Sequence, residues 1–250
     1  MQGQGLAVII LAAGQGKRMQ SDLPKVLHPL AGRPLLVHVL DGVQALAPER
    51  ILIVVGYQAD RVRPVCAGYP VEFVEQTEQL GTGHAVMQAE AALQDFTGDV
   101  LILCGDMPLI RPETLRPLLL SHRASQAPCT LLSLKSNEKK DFGRVIRQAD
   151  GSVGRIVENK DASPEEKTVD EYNSGVYCFE KSILFKALKG IGHRNAQQEY
   201  YLTDTVSRIT EGGQAIQAIQ TGDASEIFGI NSIEDLNTAE QLFSERASNS

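Results

Sequence analysis

Four short runs of aliphatic residues dominate the first half of the chain. They lie at residues 6–11 (LAVIIL), 51–56 (ILIVVG), 100–105 (VLILCG) and 130–134 (TLLSL). Continuous apolar runs of this length are typical of strands buried on both faces of a parallel sheet. Stretches with helical spacing lie among them, at residues 34–46, 81–93 and 111–124. The alternation of strand and helix predicts a doubly wound α/β sheet.

The pattern changes after about residue 142. Two β-prone segments within residues 143–158 flank Asp150 and Gly151, a dipeptide that is a strong signal for a hairpin. The rest of this half is predicted to contain a polar loop, a strand and two helices, at residues 160–171, 173–180, 197–212 and 232–247. No linker rich in Pro, Gly or Ser divides the chain, so we expect the second half to complete the same sheet.

The composition is that of a globular protein and excludes some functions. Hydrophobic residues make up 42%, and 31 acidic against 24 basic residues give a net charge of −7, which argues against general attraction to nucleic acid. The longest N-terminal apolar run, residues 6–13, is too short to span a membrane. Four cysteines without metal-ligand spacing favour free thiols in a reducing compartment. We therefore expect a cytoplasmic protein that binds neither nucleic acid nor membrane.

The turn after the first predicted strand is a candidate phosphate-binding loop. Gly14 and Gly16 leave backbone N–H groups open to an anion, because glycine has no Cβ. Lys17, Arg18 and Lys25 place three cations within nine residues of an acidic protein. This concentration of positive charge predicts a polyphosphate pocket. The alternative is a surface loop whose charges are only solvated.

Neither of the two common phosphate-binding motifs fits this loop. A dinucleotide-binding fingerprint requires a third glycine where Met19 stands. A Walker loop requires glycine at position 11 and serine or threonine at position 18, where the chain has Leu11 and Arg18. The sequence therefore predicts neither a Rossmann dehydrogenase nor a P-loop ATPase.

The loop instead resembles the signature of the sugar-phosphate nucleotidylyltransferases, L-A-A-G-x-G-x-R-M followed by P-K. Further segments are similar to the uridylyltransferase branch that makes UDP-N-acetylglucosamine: EQLGTGHA (78–85), GDMPLI (105–110), VENKDA (157–162), EYNSG (171–175) and QEYYLTD (198–204). The resemblance covers about residues 6–240. It implies a Rossmann-like three-layer αβα sandwich with a mixed, mostly parallel sheet. It also implies an Mg²⁺-assisted reaction of UTP with N-acetylglucosamine 1-phosphate, which supplies cell-wall precursors.

The resemblance also implies how the chain is divided. We expect one domain over residues 1–250, with a nucleotide-binding half at about 6–142, a sugar-binding half at about 143–231 and a C-terminal helix at about 232–247. In the bifunctional members of the family an acetyltransferase β-helix of hexapeptide repeats follows, and this sequence contains none. We therefore expect only one of the two activities. Because that β-helix largely holds the family's trimer, we expect a monomer or a weak oligomer.

Asp106 and Asn231 are the candidate magnesium ligands. Asp106 follows a predicted strand, and open α/β sheets bind ligands at the carboxyl ends of their strands. Mg²⁺ prefers oxygen ligands and combines one or two protein groups with substrate phosphates and water. The alternatives are a plain Gly-Asp-x-Pro turn and a helix cap, because Asn231 opens a predicted helix. The resemblance favours the metal for both, with Ser232 and Asp235 supplying the cap.

The resemblance assigns roles to further residues. Arg18 would hold the departing pyrophosphate, and Lys25 would neutralise the α-phosphate and the incoming sugar phosphate. The nucleotide would contact Leu11, Ala12, Ala13, Gly14, Gly16, Gln76, Gly81 and Thr82, and the sugar would contact Cys104, Gly105, Gly143, Glu158 and Asn173. Two alternatives stay open, since Thr82 is also a candidate helix cap and Glu158 a candidate solvated charge. The chain departs from the family pattern at Lys17, often threonine, and at Cys104, often tyrosine.

The sequence offers no candidate for covalent catalysis. His28, His38 and His84 have neither a metal-binding spacing nor a nucleophile nearby, and Cys104 ends an apolar strand, so we expect a buried, inert thiol. Transfer of a phosphoryl-type group can proceed by positioning and electrostatics alone. Two alternative functions share this pattern: a transferase specific for another nucleotide, such as CTP or GTP, and a sensor that binds a UDP-sugar without turnover.

Overall fold

The structure is a computed structural model that describes residues 5–138 and 141–248, so residues 1–4, 139–140 and 249–250 of the predicted domain lie outside it. The strands are β1 Gly5–Ala12, β2 Pro29–Leu30, β3 Arg33–Pro34, β4 Arg50–Val55, β5 Glu72–Glu75, β6 Gly98–Cys104, β7 Cys129–Lys135, β8 Arg144–Arg147, β9 Val153–Val157, β10 Glu171–Glu180 and β11 Gln217–Gln220. The helices are α1 Leu35–Gln44, α2 Ala59–Val62, α3 Thr82–Met87, α4 Pro112–Ser125, α5 Lys181–Leu188, α6 Asp204–Glu211 and α7 Ile233–Ser248.

One sheet forms the centre of the described chain, in the order β11-β7-β10-β6-β1-β4-β5. Its neighbouring strands run parallel except around β10, which is antiparallel to both β6 and β7. The four aliphatic runs form β1, β4, β6 and β7, with bounds within two residues of those expected. The prediction of a mixed, mostly parallel sheet is therefore confirmed.

Helices cover both faces of this sheet because the strands are apolar on both sides. In β1, Ala7 and Ile9 belong to one buried apolar cluster, while Val8 and Ile10 belong to the other. The first cluster includes residues of α3, α5 and α6, and the second includes residues of α1 and α4. The protein thus has the three-layer αβα arrangement that the sequence predicted.

The second half adds strands to the sheet of the first half. Strand β10 lies between β6 and β7, and β11 forms one edge. The β8–β9 hairpin turns at Asp150 and Gly151, where Gly151 has a φ of +85°, and it joins β10 through the pair Arg144 and Tyr172. The predicted hairpin is confirmed.

Two predicted helices are shorter in the structure than in the sequence analysis. The helix expected at 197–212 begins only at Asp204, because the backbone before it pairs with the loop ahead of α3: the Tyr200 N–H donates to the Leu80 carbonyl, and the Gly83 N–H donates to the Tyr200 carbonyl, both at 2.7 Å. The helix expected at 81–93 ends at Met87 and continues as irregular turns. For the helix expected at 197–212, contacts with a distant segment therefore override the local helical pattern.

A third, smaller apolar cluster lies beneath α7 and holds the loops around the carboxyl edge of β1. Its buried members are Met19, Leu30, Leu35, Leu109, Ile230 and Ala239. Met19 follows Arg18, Leu109 follows Asp106 by three residues, and Ile230 precedes Asn231. One small core thus fixes three segments that carry candidate site residues.

The described chain contains neither a candidate membrane span nor a disulfide. Within the described part of the chain, no helix has both the length and the apolar character needed to cross a membrane. All four cysteines are described and none forms a disulfide. Cys66, Cys129 and Cys178 are buried, whereas Cys104 is partly exposed.

Candidate active site

The carboxyl ends of β1 and β6 lie side by side and create the setting for the site. Leu11 pairs with Cys104, and the Gly105 N–H donates to the Leu11 carbonyl at 2.9 Å. A Cβ at Gly105 would lie 3.2 Å from that same carbonyl oxygen, so glycine permits the close approach. Asp106, the next residue, therefore projects at the edge where α/β sheets bind ligands.

A cavity of about 260 Å³ opens at this edge. Its lining includes the predicted residues Leu11, Ala12, Ala13, Gly14, Lys25, Gln76, Gly81, Thr82, Cys104 and Asp106. Residues without an assigned role complete it: Val26, Gln79, Ala85 and Glu199. A larger open groove of about 830 Å³ lies between α5 and residues 87–94 and contains none of the predicted site residues.

Lys25 is the centre of a charged cluster in this cavity. Its ammonium forms an ion pair with the Asp106 carboxylate and donates to Asn231 Oδ1 at 3.0 Å. Gly16, with a φ of +67°, allows this position, because a Cβ there would lie only 2.6 Å from the Lys25 Cβ. The structure thus brings together three residues whose roles were predicted separately.

Asn231 is available to this cluster because other residues cap α7. The Asn231 and Ser232 N–H groups donate to Asp235 Oδ2 at 2.8 and 2.9 Å, and the Asp235 N–H returns to Ser232 Oγ at 3.1 Å. The expectation that Ser232 and Asp235 supply the cap is confirmed. The Ile230 N–H donates to the Asp106 carbonyl at 3.0 Å, which ties the two loops together.

Arg18 does not line the cavity. It belongs to a single 3₁₀ turn, Lys17–Met19, whose last residue is buried in the small cluster beneath α7. The Arg18 side chain is exposed and forms no hydrogen bond or ion pair with any described residue. Its anchored backbone and uncommitted guanidinium are compatible with binding a phosphate that enters from solvent.

Gln76, Gly81 and Thr82 form one wall of the cavity. Gln76 is 3% exposed, and its Nε2 donates to the Gly81 carbonyl at 3.0 Å. Gly81 has a φ of +110°, and a Cβ there would lie 2.6 Å from the Tyr200 carbonyl oxygen. The Thr82 hydroxyl accepts from the Leu202 N–H at 3.1 Å and caps no helix. The alternative role of Thr82 as a helix cap is therefore wrong.

Gly143, Glu158 and Asn173 form a second cluster beside the cavity. The Asn173 N–H donates to the Gly143 carbonyl at 2.8 Å, and a Cβ at Gly143 would lie 3.4 Å from Glu158 Oε2. Glu158 Oε1 accepts from the Thr203 hydroxyl at 3.0 Å. None of the three lines the cavity of 260 Å³. Cys104, which lines the cavity, lies close to Gly175, two residues after Asn173 in β10: a Cβ at Gly175 would lie 3.9 Å from the Cys104 Sγ.

Two ionisable groups in this region have perturbed pKa values. Burial raises the pKa of Glu158, and the nearby Asp204 and Asp161 carboxylates add to the rise, while the Thr203 hydroxyl opposes it. Glu158 is therefore not a freely solvated charge. Burial also raises the pKa of the Cys104 thiol to about 12, and Asp106 adds to this rise. The thiol is inert as expected, although it borders the cavity instead of being fully buried.

Glu199 and Thr203 also lie near the site, and no sequence pattern predicted this. Both lie in the segment QEYYLTD, which resembles the family, but nothing in its local pattern gave either side chain a role. Glu199 lines the cavity, and Thr203 contacts Glu158. Their proximity depends on the pairing of this segment with the loop before α3, which no local pattern reveals.

The fold and the site together define a class: an α/β nucleotide-binding transferase with a glycine-rich loop and a charged cluster at the carboxyl edge of its sheet. The chain belongs to the MobA-like NTP transferase domain family, whose sequence model matches residues 8–189. The resemblance to the nucleotidylyltransferases is thereby confirmed.

Similar proteins share this sequence over most of its length. A bifunctional protein GlmU from Geobacter metallireducens is 52% identical over 227 residues, which are 90% of this chain and 48% of that protein. Another protein of that name, from Streptococcus gordonii, is 46% identical over 238 residues, covering 95% of this chain and 52% of that protein. The chain thus spans about half the length of these curated relatives.

Solved structures support the fold. A UDP-glucose pyrophosphorylase complexed with UDP-glucose matches with a TM-score of 0.78 and 16% identity, over 97% of this chain and 99% of that one. A 4-diphosphocytidyl-2C-methyl-D-erythritol synthase from Anaerococcus prevotii matches with a TM-score of 0.70 and 17% identity, over 96% and 99%. At these identities the likeness concerns the fold alone.

Proposed function

We propose that this protein transfers a uridylyl group from UTP to N-acetylglucosamine 1-phosphate, giving UDP-N-acetylglucosamine and pyrophosphate. The observation that carries the proposal is the convergence of Asp106 and Asn231 on the cation of Lys25 at the cavity wall. Such a cluster suits a reaction in which two anionic phosphates must be brought together. The family match and the relatives named bifunctional protein GlmU support it.

The residues present fit a magnesium ion. Asp106 and Asn231 offer one carboxylate and one amide oxygen, which are ligands that Mg²⁺ accepts, and both oxygens already converge on one cation. Among the described residues, no group of three or more His, Cys, Asp or Glu side chains forms a cage for a metal. Two protein ligands with substrate phosphates and water are the usual arrangement for Mg²⁺. When bound, the ion would neutralise charge on the reacting phosphates.

The chain itself supplies cations and backbone donors for the phosphates. Lys25 would neutralise the α-phosphate, and the exposed Arg18 would hold the pyrophosphate as it leaves. Gly14 and Gly16 expose backbone N–H groups to the remaining oxygens. A phosphate oxygen of the sugar phosphate would attack the α-phosphorus in line, as the bond from that phosphorus to the β-phosphate bridging oxygen breaks. No proton transfer and no covalent bond to the protein is required.

The base and the sugar would bind to different groups of residues. Gln76 and Gly81 border the cavity and offer amide groups to the uracil edge. Gly143, Glu158 and Asn173 would hold the sugar, because a carboxylate accepts hydrogen bonds from two hydroxyl groups at once. Residues 6–142 would then be the nucleotide-binding half and 143–231 the sugar-binding half. The substrates are small molecules, and we propose a cytoplasmic monomer or weak oligomer.

An assay of pyrophosphate release tests the proposal. UTP, CTP, GTP and ATP are each paired with the 1-phosphates of N-acetylglucosamine, glucosamine and glucose, with MgCl₂ and with EDTA. We expect turnover mainly with UTP and N-acetylglucosamine 1-phosphate, and none with EDTA. Preference for another nucleotide would replace the proposed substrate, and UDP-sugar binding without any pyrophosphate release would identify a sensor.

A further inference from the structure

We infer that Arg144 is a positioning residue of the sugar site and holds the three candidate sugar ligands in a fixed relation to one another. Those ligands are Gly143, Glu158 and Asn173. The inference rests on the proposed function and adds a residue to the same site. Arg144 is the first residue of β8 and is 3% exposed. Its action is indirect, through the chain neighbours of the three ligands.

The Arg144 guanidinium joins two of the segments that carry candidate sugar ligands. Its Nη1 donates to the carbonyl of Phe142, the residue before Gly143. The same nitrogen donates at 2.6 Å to Oδ1 of Asn159, the residue after Glu158. The guanidinium is planar and its donors have fixed directions, so both acceptors are held in one geometry. Arg144 therefore fixes the start of β8 relative to the residues that follow β9.

The same side chain reaches the third segment through the Tyr172 ring. The Arg144 Cζ lies 5.0 Å from the centroid of that ring, within the range of a cation–π contact. Arg144 and Tyr172 are also paired across β8 and β10. The residue after Tyr172, Asn173, donates its N–H to the Gly143 carbonyl at 2.8 Å. The contact with the ring therefore supports the backbone hydrogen bond that joins two of the candidate ligands.

The burial of Arg144 is not explained by its contribution to stability. It forms no ion pair with any described residue, and its Nε is buried without a hydrogen-bond partner. Arg147, in the same strand, is exposed and pairs with the Glu171 carboxylate. A buried cation with an unmet donor lowers stability, and such exceptions to local rules are expected near functional sites.

The contacts of Arg144 concern the sugar and not the nucleotide. None of the residues that its side chain touches, Phe142, Asn159 and Tyr172, lines the cavity of 260 Å³ that holds the candidate nucleotide ligands. Loss of the guanidinium should therefore disturb the geometry of the sugar ligands and leave the contacts to uracil and to the phosphates unchanged.

The first test is calorimetric binding of UDP and of UDP-N-acetylglucosamine, with MgCl₂, to the wild type and to Arg144→Met. The two ligands differ by the sugar, so a change confined to the second reports the sugar contacts. We expect the Kd of UDP-N-acetylglucosamine to rise about tenfold and that of UDP to stay within about twofold. In turnover, KM for the sugar phosphate should rise while KM for UTP stays constant. Wild-type affinity for UDP-N-acetylglucosamine in Arg144→Met would overturn the inference.

The matched control is Arg147→Met, the same change in the same strand. Arg147 Nε donates to Glu171 Oε2 at 2.7 Å, and Glu171 is buried, so this variant leaves a carboxylate without its cation and should lower Tm. We expect it to bind both ligands as the wild type does. An equal rise in the Kd of UDP-N-acetylglucosamine in both variants would assign the effect to lost stability and contradict a specific role for Arg144.

Two substitutions at Asn159 test the contact from its other side. Asn159→Leu removes the oxygen that accepts from Arg144, whereas Asn159→Asp keeps an oxygen there. Both remove the hydrogen bond that Asn159 Nδ2 donates to Asp141, so the comparison isolates the contact with Arg144. We expect Asn159→Leu to weaken binding of UDP-N-acetylglucosamine as Arg144→Met does, and Asn159→Asp to weaken it less. Equal effects of the two substitutions would contradict the inference.

Amide hydrogen exchange measures the positioning without any ligand. In Arg144→Met we expect the Asn173 N–H to exchange about tenfold faster than in the wild type, because its bond to Gly143 loses support. The Cys178 N–H, in the same strand between β6 and β7, should keep its wild-type rate. An unchanged rate at Asn173, or equal acceleration at both amides, would overturn the inference. Equal affinity of the wild type for UDP and UDP-N-acetylglucosamine would refute the proposed sugar site instead, while exchange at Asn173 would still decide whether Arg144 orders these strands.

Discussion

The ammonium of Lys25 lies between the carboxylate of Asp106 and the amide oxygen of Asn231. The lysine is 81 residues from the aspartate and 206 residues from the asparagine along the chain. The side chains of Lys25 and Asp106 are 17% and 12% exposed, so the ion pair is largely withdrawn from water. A buried carboxylate without a partner is costly, and the ammonium offsets that cost. A metal ion that used the same two oxygens would compete with Lys25.

Replacing Lys25 with alanine should lower kcat by about 10² to 10³-fold, since it removes a cation aimed at the reacting phosphates. The same change should increase the rise in Tm that MgCl₂ produces in the free protein, because the ammonium no longer competes for Asp106 and Asn231. Pyrophosphate release and a thermal shift titration measure the two effects.

The matched control for this prediction is Lys135→Ala. Lys135 also faces an aspartate, Asp170, at 3.5 Å, but both side chains are about half exposed and lie outside the cavity. We expect the control to keep wild-type turnover and the wild-type response to MgCl₂. Near-normal kcat in Lys25→Ala, or an equal response to MgCl₂ in both variants, would contradict the assigned role.

Asn231→Ala should raise the MgCl₂ concentration required for half-maximal turnover by about tenfold or more. The Asn231 side chain supplies an oxygen to the cluster, whereas Ser232 and Asp235 cap α7. Ser232→Ala is therefore the control: it should lower the free energy of unfolding by about 1 kcal/mol and leave the metal requirement within a few-fold. Equal metal requirements in the two variants would show that Asn231 acts only at the helix end.

The central strands of the sheet were predictable because their burial requires short, continuous apolar runs in the sequence. Strands β1, β4 and β6 needed no tertiary information, since both of their faces are buried. The start of α6 was not predictable, because Tyr200 hydrogen-bonds with residues about 120 positions earlier in the chain. Strands β5 and β11 contain four residues each and are partly exposed, so they leave only a weak pattern.

The sequence indicated single residues of the candidate site but not how they are assembled. The family signature indicated Lys25, Asp106 and Asn231, yet their mutual contact depends on how the sheet brings distant loops together. The sequence indicated no catalytic or metal-binding role for His84. Its contact with Gln76 becomes visible only once α3 lies against the end of β5.

Glu158→Gln should stabilise the protein at neutral pH and weaken sugar binding. The folded protein holds the pKa of Glu158 above its ordinary value, chiefly through burial, so the native state binds this proton more tightly than the unfolded state. The loss of stability caused by the ionised carboxylate is absent below the pKa of Glu158 in the unfolded state. It grows as the pH rises through the pKa of Glu158 in the folded state. Removing the charge should therefore raise Tm at neutral pH, by roughly 2–4 °C for each kcal/mol added to the free energy of unfolding. This rise in Tm should vanish in acid.

The same variant should raise KM for the sugar phosphate more than KM for UTP, since glutamine replaces an acceptor of two hydroxyl groups. Differential scanning calorimetry across a pH series and steady-state kinetics measure the two effects. Glu165→Gln is the control, because Glu165 is fully exposed and lies in the loop before β10. A gain in Tm that persists unchanged in acid would contradict the assigned cause.

Asp99→Asn should lower stability without affecting turnover. Asp99 is 1% exposed at the amino end of β6, about 20 Å along the strand from Asp106. Burial alone would raise the pKa of Asp99, but the nearby His122 ring, whose Nε2 lies 3.6 Å from Oδ1, and the hydrogen bond from Arg123 Nε to Oδ2 at 2.7 Å outweigh it and hold the pKa below its ordinary value. The stabilisation is therefore present above the unfolded pKa and is lost as the pH falls through the folded pKa.

We expect Asp99→Asn to reduce the free energy of unfolding by about 1–3 kcal/mol at neutral pH, because the amide leaves the buried partners of the carboxylate poorly satisfied. The difference from wild type should shrink as the solution is acidified, which urea unfolding at several pH values measures. The control, Asp170→Asn, removes a carboxylate from an exposed pair and should change stability by less than about 1 kcal/mol. A loss of stability that does not depend on pH would place the effect in packing rather than in the charge of Asp99.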